Sequence, residues 1–165
     1  MAYVAKLNIT NEVMRVHAVP NEACPNDTEE ECITYLNKVY SVNNVIWKKC
    51  SYNTHQGVHS KGKTPYRGNY PGVGWKYDPE NDIFIRKQPF PSWTKNVALA
   101  QWEAPVPMPA EEYRNTEEDL SLCQWDEPNQ RWIGYKGSLA EEGQAKTDTP
   151  PYRWEPSNNT WILIE

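Results

Sequence analysis

The clearest periodicity lies in residues 74–93. There Trp75, Tyr77, Ile83 and Ile85 take alternating positions on either side of Asp78-Pro79-Glu80-Asn81-Asp82. β-forming side chains around a break rich in proline, Asn and Asp predict strand, tight turn, strand. The next stretch, Gln88-Pro89-Phe90-Pro91-Ser92-Trp93, has two residues without an N–H. It is expected to run extended and to carry Phe90 and Trp93 as anchors. Upstream, residues 3–9 and 13–19 are β-prone runs around Thr10-Asn11-Glu12 and predict a hairpin. Residues 28–41 predict the one convincing helix. Cys32, Ile33, Leu36, Val39 and Tyr40 recur at helical spacing, and Thr28 with Glu31 forms a capping box. Its expected role is to cover one face of the neighbouring hairpin. Residues 45–52, with Ile46 and Trp47, predict a third strand.

These elements give an α+β, mainly β chain. A small β-β-α-β unit (residues 1–52) is followed by aromatic β-hairpins joined by proline-rich extended segments. Residues 53–110 hold a Gly-rich loop, the central hairpin and a Pro-rich tail. The loop, 53–74, lacks periodicity and contains His55, His59, Tyr66, Arg67 and Tyr70; it suits either recognition or an ordered surface. Residues 97–110 end in alternating Pro105, Pro107 and Pro109, which predicts an extended spacer. Residues 111–165 hold two Trp hairpins on a flexible linker, with polar stretches at 115–118 and 136–150.

One design recurs. Tyr77 and Phe84, Trp125 and Trp132, and Trp154 and Trp161 each stand seven residues apart, with acid, proline and Asn between and Ile after the second ring. Across a hairpin such rings meet while proline and Asn form the loop. The uneven spacing of the copies excludes a solenoid and suggests hairpins strung like beads. The paired rings either hold their own hairpins together or present anchors to another surface.

Composition sharpens this. Leu, Ile, Val and Phe make up about a sixth of the chain, whereas 8 Trp and 10 Tyr supply large apolar faces, so any core must be aromatic. Such a chain is short of private core, and a partner surface is expected. The net charge of −5 argues against nucleic acid, and Lys48-Lys49 and Lys61-Gly62-Lys63 are expected to be solvated. No stretch is long and apolar enough to span a membrane, and the amino terminus lacks the pattern of a signal peptide. Synthesis in a cytoplasm is therefore expected, with Cys24, Cys32, Cys50 and Cys123 reduced and the sequons at Asn8, Asn26 and Asn158 unused. The cysteine spacing fits no common zinc pattern. No phosphate-binding glycine loop or nucleophile elbow occurs, and nothing in the spacing brings His17, His55 or His59 to Cys50 or Asp82. The acidic pairs Glu111-Glu112 and Glu117-Glu118 sit in polar linkers. The expectation is a non-enzymatic protein without metal or cofactor. Trp and Tyr also stack on sugar rings, so a glycan-binding module remains open; coplanar exposed aromatics beside Asp or Asn would mark it.

The blocks Arg67-Gly68-Asn69-Tyr70-Pro71-Gly72-Val73-Gly74-Trp75-Lys76-Tyr77-Asp78, Asp82-Ile83-Phe84 and Gln88 to Trp93, together with Trp102 to Pro109 and Trp125-Asp126-Glu127 with Trp132, carry a resemblance. Over roughly residues 45–135 the chain resembles short, mostly uncharacterised proteins of tailed marine phages, cyanophages among them. The third hairpin near the carboxyl end and the Glu-rich helix depart from that pattern. The resemblance implies a virion protein assembled in the host cytoplasm, in multiple copies per particle. A capsid decoration or cement protein on the major capsid protein or other virion proteins is the leading expectation. A tail or tail-fibre component contacting host glycan and a tail-fibre assembly chaperone are the alternatives. The expected partner-binding residues are Tyr70, Trp75, Phe90, Trp93 and Trp102, with Trp125, Trp132, Trp154 and Trp161 of the terminal hairpins.

Overall fold

The structure is a computed structural model and describes residues 1–42, 44–114, 122–135 and 151–165. The chain forms two units, Met1–Pro89 with Lys95–Trp102, and Phe90–Thr94 with Glu103–Glu165. The protein is mainly β; the described residues build several small antiparallel sheets and two α-helices. The expected linkers at 115–118 and 136–150 lie outside the described residues.

In the first unit β1 (Ala2–Leu7) lies between β2 (Val13–Val19) and β3 (Ile46–Cys50), antiparallel to both. Side chains alternate across a strand, so β1 serves two cores. Ala2 and Val4 pack with Val19, Trp47 and the helix residues Cys32 and Leu36. Ala5 and Leu7 pack with Val13, Tyr77 and Phe84. β1 ends two residues earlier than its pattern suggests. Asn8 captures the turn there, its Oδ1 accepting the N–H groups of Thr10 and Glu12 at 2.9 Å each. Ile9 is consequently 94% exposed.

α1 (Glu29–Tyr40) forms as its cap predicts, with Thr28 Oγ1 accepting the Glu31 N–H at 3.2 Å. The Glu31 carboxylate reaches back to Asn26. The predicted apolar face is too wide: Cys32 and Leu36 are buried and Ile33 packs beside them, but Val39 and Tyr40 are about half exposed. Ser41 turns left-handed there (φ 52°) and ends the helix, whose last turn meets the sheet through polar contacts, Tyr40 with His17 and Asn37 with Trp47. β3 is likewise shorter than residues 45–52.

The aperiodic loop is ordered. β4 (Thr54–His55) and β5 (Val58–His59) form a hairpin around Gln56 and Gly57, both at positive φ. Gly57 is obligatory, since a Cβ there would lie 2.1 Å from the Ala98 carbonyl oxygen. β6 (Lys76–Asp78) and β7 (Ile83–Ile85) form the predicted central hairpin, with Tyr77 opposite Phe84. Asp78 Oδ1 accepts from the N–H groups of Glu80 and Asn81 and so closes the turn. Strict alternation fails in β7, where Ile83, Phe84 and Ile85 are all buried. The core also crosses residue 52: Cys50 of β3 shares its cluster with Tyr77 and Phe84.

A fourth hairpin, residues 94–103, overlaps the first half of the stretch 97–110 expected to be an extended spacer. β8 (Thr94–Asn96) and β9 (Gln101–Glu103) flank the turn 97–100. It shares its loop with the three recognised copies. In each, the turn has four residues, and the last is left-handed: Asp82 (φ 50°), Ala100 (φ 48°), Gln130 (φ 47°) and Asn159 (φ 49°). Lys95 stands where the other copies have their first aromatic, and Trp102 seven residues later is the second.

In the second unit α2 (Glu111–Arg114) precedes β10 (Leu122–Asp126), β11 (Arg131–Tyr135), β12 (Tyr152–Glu155) and β13 (Thr160–Leu163). The two terminal hairpins are not separate beads. β11 pairs with β12 through Ile133 with Arg153 and Gly134 with Tyr152, giving one sheet in the order β10-β11-β12-β13. A lone two-stranded hairpin is marginal in water, and this pairing removes one exposed edge from each.

Candidate functional site

The resemblance block concentrates in one side-chain network of the first unit. Arg67 sits at φ 52°, which turns the chain so that its guanidinium enters the unit. Its Nη1 and Nη2 donate to the two carboxylate oxygens of Glu29, at 2.5 and 3.1 Å. Nη1 also donates to the Lys49 carbonyl at 2.9 Å, and Nε to Asp82 Oδ1 at 2.7 Å. The Tyr77 hydroxyl donates to the same oxygen at 2.6 Å. The helix start, β3 and the central turn are thus held by one side chain, in the bidentate geometry that Arg and a carboxylate share.

Asn69, 2% exposed, is the second hub. Its Nδ2 donates to the carbonyls of Phe84 (2.8 Å) and Ala100 (2.9 Å), while Oδ1 accepts the Gln56 N–H at 2.8 Å. A buried amide with every bond but one satisfied locks two turns and strand β7 together. The sequence placed Arg67 and Asn69 only in an aperiodic loop. The signal available there was a polar pair around Gly68, whose positive φ leaves a Cβ no room beside Ala100.

The electrostatics match a structural role. Burial alone would raise the Glu29 carboxyl, but hydrogen bonds from Arg67 and the Lys49 N–H outweigh it and hold the group below its ordinary value. Burial opposes the charge of Arg67, yet its hydrogen bonds to Glu29 and Asp82 hold that charge more firmly than usual. For Asp82, burial is likewise outweighed by Tyr77 and Arg67.

Of the expected anchors, Tyr70, Trp75 and Trp102 belong to the first unit. Tyr70 packs against Tyr3 and Tyr52, with ring centroids 5.5 Å from each. Trp75 carries the Arg86 guanidinium 5.2 Å above its ring, and Trp102 Nε1 donates to the Arg86 carbonyl at 2.8 Å. The others meet in the second unit. Trp125, Trp132 and Trp154, each 6% exposed, form a cluster joined by Phe90, Trp93, Tyr113 and Trp161. The rings of each recognised hairpin pair directly: Tyr77–Phe84 at 5.4 Å, Trp125–Trp132 at 5.3 Å and Trp154–Trp161 at 5.3 Å. These three buried tryptophans are therefore spent within the protein, and only residues outside the cluster's interior retain surface for a partner.

Separated parts of the resemblance also meet. Glu127 accepts from the Ser92 N–H (2.9 Å), the Ser92 hydroxyl (2.7 Å) and Trp125 Nε1 (2.7 Å), which joins the Pro-Ser-Trp tail to the Trp-Asp-Glu turn. Trp132 Nε1 donates to the Val106 carbonyl at 2.8 Å, so the proline-rich spacer is pinned to the sheet rather than free. Trp161 Nε1 does the same to Tyr113 at 2.6 Å.

Among the histidines, His17 Nδ1 lies 3.0 Å from the Tyr40 hydroxyl with its ring against Trp47, and His59 Nδ1 accepts the Lys61 N–H at 3.1 Å. Among the described residues no cluster of three metal-binding side chains occurs, and no helix is long and apolar enough to cross a membrane. No protein-family profile, curated protein or solved structure matches the chain.

Proposed function

We propose that this chain is a structural protein of a tailed-phage particle, a decoration or cement protein seated on the major capsid protein. The observation that carries the reading is how the resemblance block is used. Arg67, Asn69, Tyr77, Asp82, Ser92 and Glu127 direct their polar groups at one another or at the backbone. A reactive site keeps a perturbed group aimed at open space, whereas this block specifies shape. A protein that works through its shape acts by contact, and two aromatic units on one chain favour several weak contacts over one strong one.

Quantitative mass spectrometry of purified virions tests this. Many copies in simple ratio to the major capsid protein are expected. A few copies confined to tails would reassign the protein to the tail. Presence in infected cells but not in particles would make it an assembly chaperone. Absence from both would end the particle reading.

A further inference from the structure

The two basic clusters of the sequence meet at one cleft. Lys49 and Lys63 both line a cavity of about 280 Å³ in the first unit, together with Asp27, Tyr52, His59 and Thr64. Lys49 is held in place: its ammonium pairs with Asp27 Oδ1 at 2.8 Å and lies 5.5 Å from the Tyr66 ring centre. Lys63 has no ion-pair partner among the described residues. Asp27 offsets Lys49, so among the lining side chains Lys63 is left as the uncompensated positive charge, in a chain of net charge −5. Tyr52 is 68% exposed, yet its ring is fixed by Tyr3 at 5.9 Å and Tyr70 at 5.5 Å. The cleft therefore joins a rigid apolar ring, one free cation and short-range hydrogen-bonding groups. His59 adds a donor, since its Nδ1 accepts from Lys61 and the ring proton is left on Nε2.

We propose that this cleft binds a pyranose bearing one carboxylate, a uronic-acid unit of an acidic polysaccharide. The ring's C–H face lies on Tyr52, the carboxylate on Lys63, and the hydroxyls on Thr64 and the largely exposed Asp27 carboxylate. Charge decides against a phosphate. Once Asp27 has offset Lys49, the single remaining side-chain cation of the lining, Lys63, matches a monoanion and leaves half of a dianion uncompensated. The hydroxyl-accepting carboxylate and flat aromatic face favour a sugar over an acidic peptide, which offers few hydroxyl donors. Ligand pockets of this kind pair an apolar face with a few placed polar groups. The sugar reading thus moves from the tryptophans to tyrosines, and it is independent of the particle reading, whose test involves no sugar.

The test is calorimetric titration of the full chain, at low salt, with a glucuronic acid oligosaccharide. Comparators are a glucose oligosaccharide of equal length, glucose 6-phosphate and a poly-Glu peptide. Lys63→Gln and Tyr52→Ala are the variants, both at exposed positions, with circular dichroism to confirm folding. The uronate is expected to bind in the millimolar range or tighter. Each variant should weaken it about tenfold, the loss of one charge-assisted contact or one ring face. The neutral sugar should bind at least as weakly as the Lys63→Gln variant binds the uronate. No uronate binding, equal binding of the neutral sugar, tighter binding of the phosphate or the peptide, or indifference to Lys63→Gln would each overturn the proposal.

Discussion

Replacing Arg67 with Met removes the clamp of the first unit while keeping much of its volume. The Arg67 and Glu29 side chains are only 9% and 20% exposed. Breaking an enclosed pair from one side leaves the other charge without its partner, at about 3–5 kcal/mol. The Asp82 arm adds little, because its carboxylate is 58% exposed and such pairs contribute about 0–1 kcal/mol. The expected loss is therefore about 3–5 kcal/mol, a large share of the ~5–15 kcal/mol of a whole domain. Because the chain forms two units, each needs its own readout. Amide hydrogen exchange supplies both. Protection should fall in β1, at Lys49, whose N–H donates to Glu29, and at Phe84, whose N–H donates to the Arg67 carbonyl. Protection at Trp132 and Ile133 should not change. Adding Glu29→Gln should restore on the order of 1–3 kcal/mol, because the orphaned group is then neutral. A loss under about 1 kcal/mol, or no recovery from the second substitution, would refute the argument that the resemblance block acts by holding charge inside the fold.

Acid should act on the same network. Glu29 and Asp82 titrate lower in the folded chain than unfolded, because their hydrogen-bond donors outweigh burial. Such groups stabilise fully above their ordinary values of 4.5 and 3.8 and lose that contribution as pH falls through the folded values. Unfolding followed from pH 6 to pH 2 should thus show stability dropping below about 4.5, with a flatter profile in Arg67→Met. Trp93→Ala should cost about 2–3 kcal/mol, less than the ~3–5 of a fully buried Trp, and loosen exchange at Trp125 and Trp132 but not at Tyr77 and Phe84. Burial pushes the Cys32 and Cys50 thiols up to about 12 and Cys123 to about 11. Thiol labelling at pH 8 should accordingly be slow until the chain is denatured, and an immediate stoichiometric reaction would contradict the burial. At the exposed left-handed position of the Trp125–Trp132 hairpin, Gln130→Val should destabilise by about 1–2 kcal/mol while Gln130→Gly should not, measured by thermal melting.

What the sequence showed was local, and the reasons are physical. Thr28 and Glu31 act within one helical turn, and Asp78 closes its own loop, so both motifs could be read without the fold. The aromatic pairs were legible because seven residues suffice to cross a four-residue turn. Asn69 was not, since its partners Gln56, Phe84 and Ala100 stand 13, 15 and 31 residues away. Nor was the pairing of β11 with β12, which depends on a long connection. The basic pairs at Lys48-Lys49 and Lys61-Gly62-Lys63 looked solvated because only the ordered loop brings Lys49 and Lys63 to one cavity.

The hidden fourth hairpin shows which part of the repeated design is fixed. Its loop obeys the same rule as the others: a polar residue at the strand end bonds back into the turn, and the fourth loop residue is left-handed. Asn96 Oδ1 accepts the Leu99 N–H at 3.1 Å, as Asp78 Oδ1 accepts that of Asn81. The acid, the proline and the trailing Ile of the design are absent, and Lys95 replaces the first aromatic, its ammonium pairing instead with Asp78 at the central turn. The turn is therefore the conserved mechanical part of the design within this chain, and the ring pair is the variable part. Where both rings are present, the hairpin contributes core. Where one is exchanged for a cation, it becomes a strut between turns. The central segment 74–93 follows from the same rule: Tyr77 and Phe84 close the hairpin, while Phe90 and Trp93 on the stiff tail join the aromatic cluster of the second unit. Among the described residues this motif is used four times with different ring occupancy, beside the separate β2-β1-β3 sheet and its helix.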